Sequence, residues 1–147
     1  MRGISLFRRR KAGQYLVHFV MILPGLMLLM GLVIDGGWMY WQYRRAWNTV
    51  NLAAQTASHA IDEEHFRATN QVVLDPAEAR QVALRYVNLN KHPGFRLTGI
   101  QVAPRWVAVS GEVTIPTFFL RLVGINELTM KAQGRAYPAY GIEREGD

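Results

Sequence analysis

The sequence predicts an α+β fold: a long N-terminal helix, its first half transmembrane, followed by a small domain with a helix on a roughly three-stranded antiparallel sheet. Three observations carry this. Tyr15 to Ile34 is twenty residues without a formal charge, about 30 Å of helix, which matches a bilayer's hydrocarbon core. No proline follows Pro24 until Pro76, so the helix runs on past the span. Beyond residue 94, valine-rich stretches alternate with period two.

Residues 1–13 form a basic cytoplasmic leader. Arg2, Arg8, Arg9, Arg10 and Lys11 supply nearly all of the +6 net charge, leaving 12 basic against 11 acidic residues from Gly13 onward. The basicity is therefore local. It suits anionic headgroups and orientation rather than nucleic acid, for which the rest of the chain offers no basic, aromatic-interleaved face. The positive-inside asymmetry puts the N-terminus of this single-pass chain in the cytoplasm and the C-terminal domain outside, in periplasm or exterior. The apolar run is longer than a cleavable signal's, and no small-x-small site follows directly, so an uncleaved anchor is expected.

The transmembrane helix is assigned to residues 14–35. Pro24 removes a backbone donor inside it and is expected to kink it. Gly25 and Gly31 leave small surfaces where another helix can approach. His18 reads either as a neutral interface-level histidine or as a polar contact to a neighbouring subunit. Asp35 ends the run, either as a solvated interfacial carboxylate or as the partner of a basic group on an adjacent chain.

Residues 36–64 continue the helix outside the membrane. Trp38, Tyr40 and Trp41 suit the headgroup level, and Arg44 and Arg45 can snorkel beside them. Val50, Ala53, Ala54, Ala57, Ala60 and Ile61 make an apolar stripe of mostly small residues, a core face or an oligomer seam. Asp62, Glu63 and Glu64 read as a solvated charged turn. His59 and His65 stand six apart, which is not ligand spacing on one helix face, and no metal site is expected.

Residues 65–147 form the extracytoplasmic domain, opening with a loop over 66–74. Asp75–Pro76–Ala77–Glu78 starts a helix, with aspartate as N-cap and proline at the first position. It ends near Asn90 and buries Ala79, Val82, Ala83, Tyr86 and Val87. Phe95 to Ala103 is a strand with a candidate bulge at Gly99. Val107, Val109, Gly111, Val113 and Ile115 form a strict period-two strand ended by Pro116. Thr117 to Gly124 is a short apolar helix or turn. Leu128 to Ala136 closes the sheet, and a loose tail follows from Tyr137.

Catalytic patterns are missing from the sequence. There is no GxSxG, Walker loop, HExxH or cysteine, and no serine stands in a recognisable relation to a histidine. Neither an enzyme nor a cofactor is expected.

The N-terminal third resembles a known family. Its pattern here is Arg8–Arg9–Arg10–Lys11, Gly13, Leu23–Pro24, Asp35–Gly36–Gly37, Tyr40 and the alanine-rich Asn51 to Ala60. This order looks like the TadE/TadG-like pseudopilins of the tight-adherence (Flp-type) pilus system. The similarity covers residues 8–62 and, more loosely, 106–137. It implies a pilin-like fold and a structural role in pilus assembly or secretion, with membrane lipid and other pilin-like or pilus assembly proteins as partners. It also implies a prepilin peptidase cut between Gly13 and Gln14, and helix assembly through the region of His18, Pro24 and Asp35. The family's closest pilin-like members carry glutamate at the fifth residue after the glycine, and this chain has His18 there. The alternative is a single-span membrane protein whose periplasmic protein-binding domain serves an unrelated envelope complex.

Overall fold

A computed structural model describes residues 9–138, and side chains from Gly13 onward. The expectations for Arg8 and for the tail beyond Pro138 lie outside the described residues. The elements are α1 (Arg9–Ala57), α2 (Glu63–Thr69), α3 (Pro76–Asn90), β1 (Phe95–Ala103), β2 (Trp106–Pro116), a 3₁₀ turn (Leu120–Val123) and β3 (Glu127–Ala136). The fold is thus α+β, with three α-helices and a three-stranded antiparallel sheet in the order β1-β2-β3.

Helix α1 is 49 residues long and continues through Pro24. It is long and apolar enough to cross a membrane, and its apolar window is almost wholly exposed. It ends at Ala57, short of residue 64. The Ser58 hydroxyl donates to the Gln55 carbonyl at 2.7 Å, and tight turns follow at His59 and Ala60. Serine competing for backbone acceptors in this way favours a helix end. Ile61 then forms an isolated antiparallel bridge with Leu74.

The loop expected over 66–74 is helical in its first part. Asp62 caps α2, its Oδ1 accepting from the His65 amide at 2.9 Å. Glu63 and Glu64 fill the first turn, where the helix dipole favours negative charge. Asn70 ends α2 in the left-handed region.

The described residues fall into two compact units. One comprises Met39–Pro116 with Glu127–Asp147. Its core is a layer of small residues. Val50, Ala53, Ala54 and Ala57 of α1 are fully buried. Gly134 of β3 lies so close to α1 that a Cβ there would stand 2.5 Å from the Asn51 Cα. Ala132 and Ala136 flank it on the same buried face, so small residues on both elements let strand and helix backbones meet. The stripe on α1 is therefore core for this unit. Val107, Val109, Val113 and Ile115 of β2 are buried on one face, and Ala108 between the first two is buried as well. The β1–β2 register shifts between Leu97 and Gly99, the expected bulge. Asp75 caps α3, its Oδ1 accepting from Ala77 and Glu78 amides at 2.8 and 3.1 Å. Ala79, Ala83 and Val87 are the buried face of α3, with Val82 and Tyr86 half-buried.

The second unit pairs Met1–Trp38 with Thr117–Asn126. The short apolar segment after β2 thus belongs with the first part of α1, and not with the sheet domain expected over residues 65–147.

Candidate functional site

The site is built where Thr117–Asn126 meets α1. Pro116 ends β2, and the chain crosses to β3 through ten residues, TFFLRLVGIN. Thr117 closes this crossing. Its amide donates to Asn126 O at 3.0 Å, and its hydroxyl donates to Ile125 O and Asn126 O. The 3₁₀ turn starts at Phe119 without a side-chain cap of its own. Gly124 stops it at φ 90°, a conformation side chains disfavour.

The missing cap comes from α1. The Asp35 carboxylate accepts three consecutive amides: Phe118 N on Oδ1 at 3.0 Å, and Phe119 N and Leu120 N on Oδ2 at 2.9 and 2.7 Å. Asp35 is only 1% exposed. A carboxylate sited this way satisfies the orphan donors of a helical start and is itself compensated for leaving water. One turn before Asp35, Gly31 is the seat of Phe119. A Cβ on Gly31 would stand 2.6 Å from Phe119 Cγ. One turn after the seat of the carboxylate, Trp38 meets Phe118 edge to face, with ring centroids 6.2 Å apart. Below these contacts an apolar groove of about 400 Å³ opens between Gly25, Leu28, Leu29 and Leu32 of α1 and Leu120 and Val123 of the turn.

Asp35 is thus not a solvated end of the apolar run. It is an internal clamp. Gly31, read as an approach surface for another helix, is covered by the chain's own Phe119. The other sequence-selected residues are not gathered here. The Gly13 backbone has open space around it. His18 Nδ1 donates to Gln14 O at 2.8 Å, one turn back on the same helix, and its ring is exposed. Pro24 lies exposed in mid-helix. Arg9, Arg10 and Lys11 fall in the first turn of α1. Tyr40 and Trp41 are exposed, and the Arg45 guanidinium lies 4.8 Å from the Trp41 ring centroid, a cation–π pair suited to an interface.

Two groups were not singled out by the sequence. The Phe118–Leu120 amides carry no side-chain signal at all. His92 is the other: it is 6% exposed, its ring packs edge to face on Phe95 at 5.5 Å, and neither ring nitrogen finds a hydrogen bond. Burial, with the Arg45 charge adding to it, lowers the His92 pKa below its ordinary value, so the ring is neutral in the fold. Among the described residues no group of three or more His, Asp or Glu comes together as a metal site.

Comparison of the chain with protein-family models, with curated proteins and with solved structures gives no match.

Proposed function

We propose that this chain is a membrane-anchored pseudopilin or minor-pilin-like structural component of Flp/Tad-type pilus assembly or secretion. It sits in the bacterial inner membrane with its N-terminus cytoplasmic and its C-terminal domain periplasmic or exterior. The observation that supports the reading is α1 itself. A single 49-residue helix carries an exposed apolar first half and a second half whose small-residue stripe lies under an antiparallel sheet. That division of one helix between lipid and domain is what a pilin-like subunit needs: the exposed half is available to other helices, and the sheet domain faces outward.

Cleavage by prepilin peptidase between Gly13 and Gln14 belongs to this proposal. Mass spectrometry of the N-terminus, from a strain with active prepilin peptidase, is expected to find a chain beginning at Gln14. An intact leader would remove the processing half. His18 favours the second reading, a resident single-span protein with a protein-binding domain. Its Nδ1 is taken by its own helix, and an imidazole cannot supply the carboxylate that pairs with a neighbouring N-terminus. Co-purification separates the two. Recovery of a pilus ATPase, a platform protein or other pseudopilins supports the first, and an unrelated envelope complex supports the second.

A further inference from the structure

We infer that Thr117–Asn126 is a second membrane-embedded element, a re-entrant turn whose apolar face is covered by lipid acyl chains beside the outer half of the span. The proposal rests on α1 being a membrane span and is independent of any pilus role.

The segment lies along residues that are themselves lipid-facing. Phe119 sits on Gly31, and the turn faces Gly25, Leu28, Leu29 and Leu32 across the groove; Gly25 to Leu32 is roughly 10 Å of helix rise within the apolar run. The segment therefore runs from the headgroup margin, where Phe118 meets Trp38, to acyl-chain depth beside Leu28 and Leu29. Its outward face is apolar and unoccupied by the chain: Leu122 is 73% and Val123 62% exposed, with Phe118 and Ile125 about half exposed. The leucines and methionines of α1 from Leu26 to Met30 are exposed as well.

Irregular backbone survives at that depth only when its polar groups are satisfied inside the protein, and seven amides of this segment have partners within the chain. Asp35 takes the Phe118, Phe119 and Leu120 amides. Leu122, Gly124 and Ile125 amides donate to Phe119, Arg121 and Leu120 carbonyls, and Thr117 closes the ends. Arg121 is the segment's one charge and is exposed. Its long stem lets the guanidinium reach lipid phosphate from the acyl margin.

The chain has no cysteine, so single sites can be labelled in the full-length protein. Leu122→Cys carries an environment-sensitive fluorophore in vesicles of phosphatidylethanolamine and phosphatidylglycerol. Met21→Cys, on the span, and Gln101→Cys, on β1, serve as lipid and water references. The Leu122 site is expected to match Met21, with blue-shifted emission, loss of iodide quenching, and strong quenching by nitroxide-labelled acyl chains. Iodide quenching equal to that at Gln101 would overturn the proposal. So would shielding from both quenchers, which means a protein surface such as a second copy covers the turn. Iodide access at Met21 as well would overturn the span and the turn together. Val123→Cys repeats the reading from a second exposed position.

Discussion

Removing the Asp35 carboxylate should free the turn that it holds. In Asp35→Ala the amides of Phe118, Phe119 and Leu120 lose their acceptors at 3.0, 2.9 and 2.7 Å. A buried N–H without a partner costs about 1–3 kcal/mol, so three cost about 3–9 kcal/mol while the turn stays in place. The segment escapes this cost by detaching from α1, which forfeits the seat of Phe119 on Gly31 and the contact between Trp38 and Phe118. Asp35→Asn is milder. Its amide oxygen can still accept the pair that Oδ2 holds, but its NH₂ then faces the remaining donor and the charge assistance is gone, a loss of about 2–3 kcal/mol. Hydrogen exchange of the three amides, measured by mass spectrometry on the full chain in a bilayer or detergent, reads the change directly. A loss of about 3 kcal/mol speeds exchange on the order of 100-fold. Asp35→Ala should exceed Asp35→Asn, with the amides of β2 at Val109 unchanged in both. Unaltered exchange at Phe118 to Leu120 in Asp35→Ala would refute the clamp.

Other perturbations test the rest of the molecule. Gly134→Ala forces a Cβ to 2.5 Å from the Asn51 main chain, which cannot step aside, and should cost about 2–3 kcal/mol in denaturant midpoint stability. Asp75→Ala removes the α3 cap and should cost about 1 kcal/mol, most of it recovered in Asp75→Asn. The lowered pKa of His92 makes the unfolded chain bind a proton that the folded chain refuses. Stability is therefore full above the ordinary histidine value of 6.5 and falls as pH drops through and below it, by at most about 1.4 kcal/mol per pH unit. Chemical denaturation at several pH values in detergent should show this slope, and His92→Leu should lose it.

Much of the fold could be read from local chemistry. Asp75–Pro76 announces α3 because capping is a matter of adjacent residues. The alternating valines of β2 announce a buried strand because period two is local as well. Gly99 marks the bulge for the same reason. Helix α2 was legible in principle: Asp62 followed by two glutamates is a cap and a first turn. It carries no apolar periodicity, though, so hydrophobic patterning passed over it. The clamp lay beyond such reading. Asp35 and its three donors stand 83 to 85 positions apart, and backbone amides leave no mark on a sequence. The remaining signals were an acid at the end of an apolar run, a glycine one turn before it, and a ten-residue apolar crossing between strands. Each has an ordinary explanation alone, and their pairing is a tertiary fact.

That separation along the chain also sets a timetable. Asp35 leaves the ribosome more than eighty residues before the amides that it will hold. At roughly 5–20 residues per second, synthesis takes on the order of 4–16 s to deliver them. Through that interval the carboxylate has none of these amides as compensation, and water must serve while the sheet strands are still being made. When the Thr117–Asn126 segment arrives, the anion exchanges its hydration shell for three amides. The clamp of Asp35 thus cannot close until the C-terminal third of the chain has been made.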